Sequence, residues 1–574
     1  MNKVLSATCY FSASSQSSKV GLLTDQWSGT LFLTKKNMFC LTMFSPLVHL
    51  LPCETVKSMD FNDLNLIQCP SITCCVKLSQ MYNAKGHFIL DAKPIIAWKS
   101  LHFAKLSEEL CWDQSNQDLK SKPDSVPENN CCDNHKMFRF LSWFLVCEVY
   151  GYNINDFEQL IINNTRQVSV KYNQGMDVWT CSCPFANLLM EVFSPCVSKG
   201  VLCLVSQNIM LLTDARCLPG SEGGGLYNSS LDYIGMIFSA IVLKTGEQTG
   251  FSLACSMYGI ASSFMELYNH CKFSNVISKS LVNMFSKFSL TVSGNISPVH
   301  NNGPEVVIIE NNQGWGSGVI VAISFDDVSN SAAVYVATCR HVALCNTASE
   351  NSTLVRVKSC CGTIHTAVHS GNILYHSGND AWLDFALVSF QCSMKYGKYL
   401  LLQTRYVLTN QGNSTFVINY DKMPQIGQDV IARGYTIFEN HNSKPLFCKG
   451  NLSKIILHNF SEFFKDQAVL LHATCVVHVG MSGGGLFSKN HSLIGLVVNN
   501  MKEVVGTNAD EYILYPTINF ILPASLFMPF VLKFIFTKDY SILSSMNSFA
   551  TNQWCGSIWM LNNHQDSDQL VSKL

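Results

Sequence analysis

The chain has 574 residues, more than one hydrophobic core usually organises, so two or more domains are expected. Hydrophobic residues make up 47% and charged residues 14%, which excludes a largely disordered chain. The formal net charge is -1 with no long run of one sign, so nothing draws the protein to nucleic acid or an anionic membrane.

The opening stretch, MNKVLSATCYFSASSQSSKV, lacks the continuous apolar core of a secretory signal. The 25 cysteines are therefore expected as free thiols in a reducing compartment. Cys74-Cys75, Cys131-Cys132, Cys360-Cys361 and the pair Cys181 and Cys183 lack the spacing of a zinc site. No metal or organic cofactor is expected.

Along the first half, QWSGTLFL from Gln26 and FCLTMFSP from Phe39 read as strand, connection, strand. The segment from Asp113 to Lys136 has almost no large apolar residue and reads as a surface loop open to cleavage. SKGVL, Ser198 to Leu202, precedes a glycine-rich turn, PGSEGGGLY, from Pro219 to Tyr227. From Ser289 to Glu310 the chain is rich in Gly, Pro and Asn, which suits a linker with a boundary near Asn301.

The second half repeats this order. GWGSGVIV from Gly314 and YVATCRHV from Tyr335 answer the first strand pair, and CKGNL from Cys448 answers SKGVL. VGMSGGGLF, Val479 to Phe487, answers the glycine turn, and GLFSKNHSLIG matches GLYNSSLDYIG at one constant offset. Short apolar runs bounded by Gly, Asn, Asp and Ser make both halves all-β. The expected domains are residues 1–300, 301–535 and a tail, 536–574. The apolar run from Phe520 to Phe536 is broken by Pro523, Pro529 and Lys533 and is too short for a spanning helix, which favours a buried or docking segment.

A serine hydroxyl becomes a useful nucleophile only beside an imidazole base, itself oriented by a carboxylate, with backbone N–H groups to receive the oxyanion. The second half supplies each part: His341 at the end of an apolar strand, Asp384 entering another, and Ser482 on the glycine turn. There the N–H groups of Gly480 and Ser482 can face one point. Asp380 is the other candidate carboxylate. The order His341, Asp384, Ser482 is that of chymotrypsin-like double β-barrels.

GWGSGVIV, ATCRHVA, DFALV and GMSGGGLF…LIGLVV together resemble the trypsin-like protease domain of the HtrA/Deg group, over roughly residues 305 to 525. Met481 departs from the pattern, standing where the group usually has Asn. The resemblance implies a chymotrypsin-like double β-barrel in the C-terminal half. It places the base of the specificity pocket at Val476, its wall at Val498 and Asn500, and its rim at His478. Without a carboxylate there, the pocket should reject Lys and Arg and accept Cys, Ala or Val.

Aligning the halves puts Glu222 at the nucleophile's position and Ser45 where the second half has His341. The first half thus reads as a degenerate, catalytically silent protease-like β domain. The chain ends Ser572-Lys573-Leu574, a peroxisomal address read at the extreme C-terminus. With that ending, the resemblance narrows to the peroxisomal Deg-type processing proteases.

What it implies is a serine endopeptidase of the peroxisomal matrix. Such an enzyme removes N-terminal leader peptides from imported precursors, often after cysteine, processes β-oxidation enzymes and cleaves itself. Its partners would be matrix precursors, the import receptor that reads the terminal tripeptide, and a possible second copy in a homo-oligomer. The alternatives are a non-catalytic protease-like scaffold or a broad HtrA-type quality-control protease. The latter typically adds a PDZ module, for which the stretch from Phe520 to Leu574 is too short.

Overall fold

The computed structural model describes residues 8–17, 21–34, 37–50, 59, 63–67, 72–78, 88–112, 142–152, 172–185, 195–242, 248–270, 277–289, 306–311, 314–344, 352–358, 366–378, 381–402, 406–408, 415–436, 445–460, 465–504 and 512–559. Asn301, Asp380, the loop from Asp113 to Lys136 and the terminal tripeptide lie outside them. The chain divides into two compact units, Met1–Asn295 and Ile296–Leu574.

In the first unit, strands β1 (Thr8–Ser17), β2 (Gly21–Leu33), β3 (Met38–Met43), β4 (Asn65–Leu66), β5 (Ile72–Leu78), β6 (Phe88–Lys99) and β7 (Trp143–Tyr150) form one sheet. Apart from the short β4, these strands close in the order β1-β2-β3-β7-β6-β5, with β5 returning to β1. Strands β8 (Asp177–Ser182), β9 (Cys196–Ser206), β10 (Met210–Thr213), β11 (Gly225–Asn228), β12 (Tyr233–Val242) and β13 (Gln248–Ser256) close a second barrel, in the order β10-β13-β12-β11-β8-β9.

The second unit begins with β14 (Val306–Asn311), β15 (Gly314–Asp326), β16 (Ser331–Thr338), β17 (Ser352–Lys358), β18 (Thr366–His376) and β19 (Ala386–Ser393). These pair as β14-β15-β16-β19-β18-β17 and back to β14, the same ring as before. Strands β20 (Tyr406–Leu408) and β21 (Thr415–Ile418) extend the sheet from β15.

A further barrel contains β22 (Asp429–Gly434), β23 (Leu446–His458), β24 (Gln467–Ala473), β25 (Gly485–Ser488), β26 (Leu493–Val504) and β27 (Tyr512–Pro523). Read from β24, its order β24-β27-β26-β25-β22-β23 repeats that of the first unit's second barrel. Each unit is thus a pair of six-stranded barrels, as the all-β expectation requires. Closure leaves neither ring with an unpaired edge.

Alternation explains the local choices. Along β16, Ala332, Val334 and Val336 are buried, and β-branched side chains suit this pleated surface. In the second unit one core runs from Val306 through both barrels to Trp559, so β15 is buried continuously from Gly316 to Ile323. The apolar run from Phe520 ends β27 and enters the helix Ala524–Thr537, which buries Leu526, Phe527, Val531, Phe534 and Ile535. Among the described residues no helix is long and apolar enough to cross a membrane. Among the described residues no cysteine, Cys74, Cys75, Cys181 and Cys183 included, forms a disulfide.

Candidate active site

Strand β16 ends at Thr338, and the next residues turn into the short helix Arg340–Ala343, which carries His341. Asp384 sits just before β19, whose Ala386 pairs with Thr338, so strand register brings carboxylate and imidazole together. Asp384 Oδ2 lies 2.6 Å from His341 Nδ1. Its other oxygen accepts the backbone N–H of His341 at 3.1 Å. The carboxylate is 2% exposed and so grips both the ring and the main chain of one residue away from water. With Nδ1 engaged, the ring's Nε2 is left for proton transfer.

The Ser482 turn lies between β24 and β25. Gly480 and Gly483 adopt φ of 90° and 81°, a region open to glycine at little cost. Gly480 packs on the Trp315 ring, and a Cβ on Gly483 would overlap the Ser317 carbonyl. The N–H groups of Met481, Gly483 and Gly484 bond to His478 O, Val497 O and Met481 O. Among the described residues, those of Gly480 and Ser482 have no partner and are available to an oxyanion. Ser482 Oγ donates to the Val498 carbonyl at 2.9 Å rather than to the imidazole.

The two halves of the site are tied by a buried chain of hydrogen bonds. Thr338 Oγ1 donates to Ser317 O at 2.7 Å, and Ser317 N donates to Ser482 O at 2.8 Å. Ser317 Oγ donates to Gly480 O at 2.7 Å and accepts Tyr435 N–H at 2.8 Å. Ser317 and Thr338 stand within the repeated segments GWGSGVIV and YVATCRHV, and their role is absent from the sequence reading. The signal was the shared Ser-Gly and Thr of both copies.

Val476, His478, Val498 and Asn500 are all buried. Asn500 Nδ2 donates to Val477 O at 2.6 Å and ties β26 to the segment before the nucleophile. Cys339, His341 and Asp384 present donor atoms within 4.8 Å of one another. A soft divalent ion there would compete for atoms already in use, because both Asp384 oxygens hold His341 and the Cys339 thiol faces Val497 O at 3.3 Å.

The first unit carries the same scaffold with different chemistry. Thr42 Oγ1 donates to Ser28 O at 2.6 Å, Ser28 N to Glu222 O at 3.0 Å, and Ser28 Oγ to Gly220 O at 2.6 Å. Gly220 and Gly223 have φ of 88° and 83°. Thr42 pairs with Leu145 as Thr338 pairs with Ala386, which sets Trp143 in the place of Asp384. Trp143 is fully buried and packs on Phe44 with ring centroids 5.6 Å apart. Ser45 and Glu222 occupy the other two positions. Burial pushes the Glu222 carboxyl above its usual range, and the N–H groups of Glu222 itself and Gly220 act against that rise.

Residues 316–496 match the trypsin-like peptidase domain model. The chain is 25% identical over 463 residues to the peroxisomal leader peptide-processing protease of Homo sapiens, covering 78% of this chain and 71% of that protein. Its counterpart in Mus musculus is 26% identical over 455 residues, covering 78% and 70%. Among solved structures, the HtrA-type protease AlgW with tripeptide is 16% identical, covers 42% of this chain and 62% of that one, and has a TM-score of 0.26. The chain thus carries a trypsin-like peptidase domain in its second half and is similar over most of its length to the peroxisomal leader peptide-processing proteases.

Proposed function

We propose that the second unit cleaves peptide bonds with His341 as general base, Asp384 as its orienting carboxylate and Ser482 as nucleophile. The observation that carries this reading is the double grip of Asp384 on His341, 2.6 Å to the ring and 3.1 Å to the backbone. Ser482 Oγ leaves the Val498 carbonyl, passes its proton to His341 Nε2 and bonds to the substrate carbonyl carbon. The carbonyl oxygen, now anionic, takes the N–H groups of Gly480 and Ser482. His341 then returns the proton to the leaving amine, and water repeats the sequence to release the acyl group.

The residue before the scissile bond would enter a pocket based at Val476, walled by Val498 and Asn500 and rimmed by His478. An uncharged pocket of this kind favours Cys, Ala or Val over Lys and Arg. The relatives' printed name supports peroxisomal substrates: leaders of imported matrix precursors and β-oxidation enzymes, with self-cleavage as a further reaction. Import would proceed through the receptor that reads the tripeptide, and a homo-oligomer is part of the same proposal. The first unit, residues 1–300 in the sequence reading, acts as a silent protease-like partner, since Ser45, Trp143 and Glu222 cannot transfer an acyl group.

The test incubates wild-type and Ser482→Ala protein with a leader-bearing precursor and maps new termini by mass spectrometry. One defined cut, lost in the variant, is expected. Cleavage that persists in Ser482→Ala, or a wild type that neither cuts nor takes a fluorophosphonate label, overturns the assignment.

A further inference from the structure

The Ser482 turn holds two N–H groups open, whereas its counterpart in the first unit holds the same two groups closed with a side chain. Gly220 N–H donates to Glu222 Oε2 at 2.9 Å, and the N–H of Glu222 itself lies close enough to its own carboxylate to favour the charged form. Three backbone bonds of the turn are matched. Ser221, Gly223 and Gly224 donate to Leu218 O, Ile237 O and Ser221 O, as Met481, Gly483 and Gly484 do in the second unit. Both turns therefore have the conformation that gathers negative oxygen, and in the first the residue at the nucleophile's position supplies that oxygen itself.

We infer that the first unit retains a carboxyl-binding cradle, formed by the N–H groups of Gly220 and Glu222 and kept filled by the chain's own Glu222 side chain. The ligand class is a small carboxyl group in the place where a protease would hold an oxyanion. Filling from within has two consequences. Two half-buried donors gain a partner that water would otherwise supply, and a peptide carbonyl is denied the cradle, so the unit is closed to substrate at that point. A glutamate suits both, because its side chain is long enough to turn back onto its own N–H and that of the residue two before it.

The full-length Glu222→Gly variant tests this, titrated with sodium formate against a sodium chloride control and followed by thermal unfolding. Formate should raise its melting temperature saturably, by roughly 3 °C at about a tenfold excess over its dissociation constant, and leave the wild type unchanged. Equal shifts in both proteins, or none in the variant, overturn the inference. If Glu222→Gly does not fold, hydrogen exchange on the wild type decides. The amides of Gly220 and Glu222 should exchange at least about tenfold more slowly than those of Gly480 and Ser482, and equal rates overturn it. Neither readout uses peptide hydrolysis, so the outcome is independent of the catalytic assignment.

Discussion

Asp384 holds His341 twice, by the ring at 2.6 Å and by the backbone N–H at 3.1 Å. The carboxylate thus positions the segment as well as the tautomer. Asp384→Asn keeps the shape but presents an amide that can donate to Nδ1 and so favours the wrong tautomer. A fall in kcat of about 10⁴-fold is expected, with little change in KM. Steady-state kinetics on a peptide substrate check it, and a fall in kcat/KM carried mainly by KM would show that Asp384 only supports the fold.

Ser482→Ala should remove at least about 10⁴-fold of the activity and all labelling by a fluorophosphonate, while leaving thermal stability nearly unchanged. Among the described residues, the side chain's hydrogen bond in the resting site is to Val498 O. Labelling detected by intact-protein mass spectrometry is the direct measurement.

Ser317 and Ser28 form a matched pair of probes. Each hydroxyl donates to the carbonyl of the first turn glycine, Gly480 or Gly220, and each accepts a backbone N–H, from Tyr435 or Cys183, at 2.8 Å. Replacing either by Ala should cost roughly 2 kcal/mol of stability. Ser317→Ala should also lower kcat several-fold by loosening Gly480, whereas Ser28→Ala should leave kcat alone. Parallel unfolding and kinetic measurements separate the two.

Gly483→Ala places a methyl group against the Ser317 carbonyl and the Thr338 hydroxyl, at a φ of 81°. The backbone must move, at a cost of about 2–4 kcal/mol, and the Ser482 label should disappear with it. Denaturant unfolding together with labelling tests both effects.

Glu222 sets a pH dependence in the first unit. Burial, the larger influence, raises its folded-state value above that of the unfolded chain. Between the two values the folded state binds more protons, so this contribution to stability is full at low pH and is lost as pH rises through the raised value. Cys217 faces the same carboxyl, and burial pushes its thiol far up, so it stays neutral throughout. Glu222→Gln should therefore gain stability relative to wild type between about pH 4 and pH 8. Paired melting curves across that range show it, and a constant difference would refute the coupling.

Much of this molecule was legible in its sequence for a local reason. A glycine-rich turn fixes φ and hydrogen bonding within a few residues, so GMSGGG announces an oxyanion turn, and its copy SEGGG announces the same turn with Glu222 in place of Ser482. His341 and Asp384 were legible too, since each stands beside an apolar strand in the order a double barrel uses. The sequence by itself thus determined the all-β class, the repeat and the side chains proposed to react.

Tertiary structure alone decided which distant residues meet. Trp143 replaces Asp384 only because Thr42 pairs with Leu145 as Thr338 pairs with Ala386. No short motif carries that register, which depends on strands about a hundred residues apart. The same holds for the bonds that lock Ser317 to Gly480 and for the reach of Glu222 back to Gly220 N–H. Closing a barrel brings such groups within hydrogen-bond range at fixed angles. A linear pattern encodes which groups are available, and the folded register decides which of them meet.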